Sequence, residues 1–279
     1  MSFHVLDQNY LRSSELRSFL ANLPRGEYVL LPDEALLEML KGEEWHQTAL
    51  KSLEILKDYP SRVLIGYARS ELLKHEIQTK TPVDGIVADD ITGAFQTYLT
   101  QYSKSGNLDS FANDVIGKLT TAQEELKDHQ LNVEENAGLF RTMHRAIRES
   151  LSPEAVKALR RDPANLPCDL LGYSIVHALS SCRDALLAEG LSFDDAKALL
   201  SKDTFLLRHM LGYSLTSLRW IGSGGLEPMK DESINNQLID IDYAVAASYG
   251  ISILTKEGRV QQLYHDIKDA LSIAIKPEN

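Results

Sequence analysis

The sequence predicts an α/β fold, a parallel-sheet domain built from both ends of the chain and interrupted by a large all-helical insertion. Three observations carry this. Short, nearly continuous apolar runs near each terminus are separated by segments of helical periodicity, the pattern of strands buried on both faces. From about Asp89 to Ile221 the strand signal vanishes and Leu, Ala, Glu, Lys and Arg dominate, broken by Gly106-Asn107, Ser152-Pro153, Asp162-Pro163, Leu166-Pro167 and Gly190. After the loop Ser223-Gly224-Gly225, one more β-branched run appears, Ile251-Ser252-Ile253-Leu254. The expected organisation is therefore an N-terminal α/β part over 1–88, a helical insertion over 89–222 and a C-terminal α/β part over 223–279.

Each element has a local cause. Phe3 to Leu6 is short, apolar and stopped by Asp7, which predicts a first strand; Ser13 to Leu23 places Leu16, Phe19, Leu20 and Leu23 at helical spacing. Tyr28 to Leu31, stopped by Pro32, predicts a second strand, and Asp33 is placed to cap a helix over Glu34 to Lys41. A helix over Glu44 to Lys57 and a strand over Arg62 to Gly66 follow. At the far end, Asp240 opens a helix leading into the strand at 251–254, and a final helix runs from Val260 to Ile275.

Composition limits the functions. The chain has 279 residues, 43% of them hydrophobic, with a formal net charge of −11. That excess of acid argues against gripping nucleic acid by bulk charge. It leaves open an enzyme whose acids hold divalent metal ions. Two cysteines, Cys168 and Cys182, are too few for a disulfide framework and read as small buried hydrophobes. The N-terminus lacks a signal-like apolar core and no run is long enough for a membrane span, so a cytoplasmic protein without membrane contact is expected.

Ligands of open parallel sheets bind beyond the carboxyl ends of the strands. Asp7 stands there on the first strand, and Glu257 stands just past the strand 251–254, after Thr255. Glu38, with Glu34 as competitor, lies in the helix after the second strand. Asp240 and Asp242 sit about 200° apart on a helix, so only one of them can face the edge. Four acids from four elements would repel one another unless a cation joined them. Hard oxygen ligands of this kind suit Mg²⁺ or Mn²⁺.

The segments "FHVLDQNYLR", "LLPDEALLEML" and "NNQLIDIDYAVAASYGISILTKEG" resemble the acid motifs of PIN-domain nucleases. The resemblance covers roughly the two ends of the chain and implies a PIN-like fold and metal-dependent hydrolysis of phosphodiester bonds, RNA before single-stranded DNA. It implies Asp7, Glu38, Asp240 and Glu257 as catalytic and metal-holding residues, with Asn9, Thr255 and Asp242 in support. Many such proteins are toxins, so an antitoxin-type protein partner enters by family analogy, and a homo-oligomer is compatible with it. Two departures stand out. Glu257 replaces the family's Asp and moves that carboxylate outward by about 1.5 Å, and the helical insertion has no counterpart in a minimal PIN domain.

The insertion carries a basic stripe, Arg141, His144, Arg145 and Arg148, followed by Lys157, Arg160 and Arg161, that suits an RNA backbone or, more ordinarily, a solvated helix face. Two rivals are weighed. A PIN-like module without activity would bind or assemble rather than cleave. A haloacid-dehalogenase-like phosphatase would need a second Asp where Asn9 stands.

Overall fold

The computed structural model describes residues 1–39, 44–105, 133–163 and 165–275. The Gly106-Asn107 break and the end of the helix expected to reach Lys41 lie outside the described residues. The chain is of mixed α/β character, with a four-stranded, all-parallel sheet. It divides into two compact units. Among the described residues, the first comprises 1–39, 44–69, 85–105 and 249–258; the second comprises 70–84, 133–163, 165–248 and 259–275.

In the first unit the strands are β1 (Ser2–Leu6), β2 (Glu27–Leu31), β3 (Val63–Ile65) and β4 (Ser252–Leu254), in the spatial order β3-β2-β1-β4. All four coincide with the apolar runs predicted above. β1 is an inner strand, and Val5, Leu6, Val29, Leu30, Leu31 and Val63 are buried, as expected when both faces of a parallel sheet are covered. The register sets Val5 opposite Leu30 on one side and opposite Ile253 on the other. His4, read above merely as part of an apolar run, joins three strands. Its Nδ1 is 2.8 Å from Ser252 Oγ on β4 and its Nε2 is 2.9 Å from Glu27 Oε2 on β2.

The connecting helices have recognisable starts. α1 (Gln8–Leu11) is a single turn capped by Asp7, whose Oδ1 accepts from the Asn9 N–H at 3.2 Å. α2 (Ser14–Asn22) is capped by Ser13 and buries Leu16 and Leu20. α3 (Asp33–Met39) and α4 (Trp45–Leu53) follow β2. α5 (Arg69–Thr79) leads to α6 (Asp89–Ser105), which opens on Asp89 and Asp90 as helix starts commonly do.

α6 covers the outer edge of β3. Thr92 Oγ1 accepts from the Ile65 N–H at 2.9 Å, Gln96 Nε2 donates to the Val63 carbonyl at 2.8 Å, and the Ala88 N–H donates to the Ile65 carbonyl at 2.8 Å. Backbone groups that a further strand would have paired are thereby satisfied.

The second unit is helical: α7 (Val133–Ser150), α8 (Pro153–Arg161), α9 (Cys168–Ala188), α10 (Phe193–Leu200), α11 (Phe205–Ser223), α12 (Asp231–Ser248) and most of α13 (Gly258–Ala274). α11 is buried along nearly its whole length, the mark of a central helix. Gly212 lets it approach α12, because a Cβ there would lie 2.6 Å from Ile241 Cγ2. The N-terminus of α11 is held by a residue far away in sequence. Glu76, on α5 and within the second unit, is 1% exposed, and its carboxylate accepts from the N–H groups of Phe205 at 2.7 Å and Leu206 at 3.0 Å.

Three sequence expectations change. The helix containing Asp240 begins at Asp231, so Asp240 lies in its interior; the acids Asp231 and Glu232 occupy the first turn, and Ile234, Leu238 and Ile241 extend the buried stripe backwards. Cys182 is buried, but Cys168 is exposed at the start of α9. His144 does not share an exposed basic face. It is 2% exposed, and neither ring nitrogen has a hydrogen-bond partner.

Two predictions follow from packing. A Cβ on Gly250 would sit 2.6 Å from the Phe3 carbonyl oxygen, where β4 enters beside β1 and the Ile251 N–H bonds that same oxygen at 2.8 Å. Gly250→Ala is expected to destabilise the chain by about 1–3 kcal/mol in urea unfolding; a change below about 0.5 kcal/mol would contradict this close approach. Burial pushes the His144 imidazole below its ordinary range, with Glu227 opposing and Arg148 adding to the effect. A ring kept neutral in the fold contributes stability that is present above the unfolded value of 6.5 and is lost as pH falls below it. His144→Leu is expected to flatten the fall of stability between pH 6.5 and 5 and to stabilise by about 1 kcal/mol at pH 7; an unaltered pH profile would count against the buried neutral ring.

Candidate functional site at the carboxyl edge of the sheet

The carboxyl ends of β1 and β4 lie side by side because those strands pair in parallel, and the ladder runs one step past β1, the Asp7 N–H donating to the Leu254 carbonyl at 3.1 Å. This brings together four of the residues singled out from sequence, Asp7, Asn9, Thr255 and Glu257, all within the first unit. Thr255 Oγ1 donates to Asp7 Oδ2 at 2.5 Å, and accepts from the Glu257 N–H at 2.9 Å. Asn9 Nδ2 donates to Glu257 Oε1 at 3.0 Å. Two carboxylates from opposite ends of the chain are thus tied through one hydroxyl and one carboxamide.

The electrostatics of Asp7 are those of a carboxylate short of positive charge. It is 4% exposed. Burial is the main influence and raises its pKa; the hydrogen bonds from Thr255 and from the Asn9 N–H work the other way, and the nearby Glu257 raises it again. The net direction is upward. Desolvation and a like charge both disfavour the ionised form, and a cation beside the pair would reverse that balance.

The other predicted acids stand differently. Glu38 is half-buried on α3. Among the described residues no group of three or more His, Cys, Asp and Glu side chains is arranged to hold a metal ion. Asp240 and Asp242 belong to the second unit. Asp240 is 3.0 Å from Arg259 and accepts from Gln237 Nε2 at 3.1 Å. Asp242, buried, faces His209 at 3.3 Å. The two aspartates therefore serve different faces of α12, as their spacing implies.

In the basic stripe, Arg141 pairs with Asp231 at 2.5 Å and donates to the Met229 carbonyl at 2.8 Å, while Arg148 pairs with Glu227 at 3.0 Å. Arg145, Arg160 and Arg161 are exposed. Among the described residues no helix is long and apolar enough to cross a membrane.

Sequence reasoning missed the neighbours of the acid pair. Lys256, between Thr255 and Glu257, forms an ion pair with Glu15, and its ammonium lies over the Tyr10 ring, 5.4 Å from the centroid. The only available signal was position: each of these residues adjoins or closely follows one already singled out.

Compared with family models, with curated proteins and with solved structures, the chain matches none significantly.

The role of Thr255 is testable in isolation. Thr255→Val removes a donor to Asp7 and an acceptor for the Glu257 N–H, and is expected to cost about 1–3 kcal/mol in urea unfolding. Thr255→Ser keeps the hydroxyl and should recover most of it. A loss in Thr255→Ser with none in Thr255→Val would show that the methyl group, not the hydroxyl, matters.

Proposed function

We propose that this protein is a divalent-metal-dependent nuclease of PIN-like type that hydrolyses phosphodiester bonds, RNA before single-stranded DNA. The observation that supports the reading most directly is the Asp7–Glu257 pair, a buried carboxylate and a second acid at the carboxyl edge of adjacent parallel strands. The donor set fits the ion. Mg²⁺ is commonly bound through one or two carboxylates, with water and phosphate oxygens making up the rest of its shell, so two acids in the first unit suffice. Asp7 and Glu257 would hold it, with Glu38 joining by the family resemblance alone.

When bound, the ion supplies charge neutralisation at the phosphate and activation of the attacking water. The chain's own part is orientation. Thr255 fixes one oxygen of Asp7 and the Asn9 N–H approaches the other, so the carboxylate plane is set before any ligand arrives. Asn9 holds Glu257 by its carboxamide, which offsets the greater reach and freedom of Glu relative to Asp. Such preset geometry is what an electrostatic site needs.

One observation favours a second reading, a PIN-like module that binds without cleaving: the same hydrogen bonds give both carboxylates neutral partners without an ion. An assay separates the two. Labelled single-stranded RNA and DNA are incubated with the protein in Mg²⁺, Mn²⁺ or EDTA, alongside Asp7→Asn, Glu257→Gln and Asp240→Asn. The expected result is metal-dependent cleavage, with Asp7→Asn at least about a hundredfold slower. Its melting temperature in EDTA should be no lower than wild type, since the amide relieves the burial of charge. A folded wild type that cleaves neither substrate with either metal would overturn the nuclease reading in favour of the module.

A further inference from the structure

The rim of the acid pair carries a second pairing that the proposed chemistry does not use. Along the β1 end, Asn9 is followed by Tyr10; along the β4 end, Lys256 precedes Glu257. Asn9 bonds Glu257, and Tyr10 receives Lys256 over its ring, so the two contacts are interleaved on one edge. Lys256 also pairs with Glu15 at the start of α2. The Lys256 and Glu15 side chains are 45% and 60% exposed, respectively. An ion pair that open to water contributes little to stability. Its ammonium can therefore exchange Glu15 for another anion without loss to the fold. Tyr10 is half-buried at the same rim.

A cation and an aromatic ring next to a site for phosphodiester chemistry match the two features that every single-stranded nucleic acid offers, a phosphate and the face of a base. We infer that Lys256 and Tyr10 form a binding subsite for the nucleotide adjoining the scissile bond, with Glu15 occupying the ammonium until the substrate phosphate displaces it. This rests on the nuclease reading for the word scissile, but the subsite itself is a claim about binding. Stacking on Tyr10 recognises any base, and Lys256 recognises the backbone, so the subsite selects single strands and not sequence. Glu15 gives the arrangement a distinctive property. Removing the cation and removing its internal partner should act in opposite directions, which two halves of a merely structural ion pair would not do.

The test is fluorescence polarisation of short labelled single-stranded RNA and DNA in EDTA, where cleavage is suppressed, using the full chain. Lys256→Gln is expected to weaken binding severalfold and to reduce the slope of log K against log salt by about 0.7, one phosphate contact. Glu15→Gln should tighten binding, and Tyr10→Leu should weaken it by about fivefold or more while Tyr10→Phe keeps it. The RNA and DNA arms share phosphate and base face, so binding to either supports the subsite, and their ratio reports the contribution of the 2′-hydroxyl. Absence of wild-type binding, or Lys256→Gln and Glu15→Gln moving the affinity together or not at all, overturns it. The two readings fail separately. Variant-sensitive binding by a protein that never cleaves in Mg²⁺ removes the nuclease and keeps the subsite; metal-dependent cleavage with KM unchanged in all these variants removes the subsite and keeps the nuclease.

Discussion

β4 is three residues long and reaches β1 from the other end of the chain, and the chemistry of the carboxyl edge depends on that pairing. Asp7 and Thr255 are 248 positions apart. Bringing such distant points together costs on the order of 5 kcal/mol in chain entropy relative to a contact between neighbours. Three residue pairs of ladder do not offset that alone, at about 1 kcal/mol net per hydrogen bond. The junction is reinforced at both ends. His4 bonds Ser252 and the Ile251 N–H bonds Phe3 where the strands enter; Asp7 bonds Leu254 and Thr255, and Asn9 bonds Glu257, where they leave. The polar residues of the candidate site are thus part of what holds the strands that create it.

This double duty explains the unusual position of Asp7. A strand-end acid serving only as a helix cap is normally left near water, where its charge is inexpensive. Here the side chain is buried, with its pKa raised, beside a second acid. The second unit handles its interior polar groups differently. Asp242 faces His209, Arg208 reaches Ser248 at 2.8 Å and Glu76 accepts several backbone N–H groups. Asp242 there faces an imidazole and Glu76 meets several N–H donors, although His144 has no partner for either nitrogen and burial raises the Glu76 pKa as it does that of Asp7; at the sheet edge the neighbour is a second acid.

The strands were legible because each is an apolar run with an abrupt polar or proline stop, Asp7 and Pro32 being the clearest. Parallel pairing then placed residues 7 and 257 on one edge by geometry, without any long-range signal in the sequence. Other features could not be read. Arg141 and Arg148 looked like a free basic stripe because their partners, Asp231 and Glu227, lie some eighty or ninety positions away. His144 differs from its neighbours on that stripe only by a rotation of the helix, which composition does not reveal. The early start of α12 was hidden by Ser233, Asn235 and Asn236, poor helix formers that the buried positions around them override. The departure at Glu257 was visible, but not that Asn9 would hold the longer side chain in place.

The carboxylate of Glu76 has a consequence for how the chain can be divided. The second unit looks, from its longest continuous stretch, like a block that begins after residue 131 and could be excised as a C-terminal fragment. Yet residues 70–84 belong to it, and they supply the acceptor for the first two N–H groups of its central helix. A fragment lacking that segment would open α11 on two buried donors with nothing to receive them. The minimal autonomous piece is therefore defined by where a single acid comes from, and it begins well upstream of the boundary that chain continuity suggests.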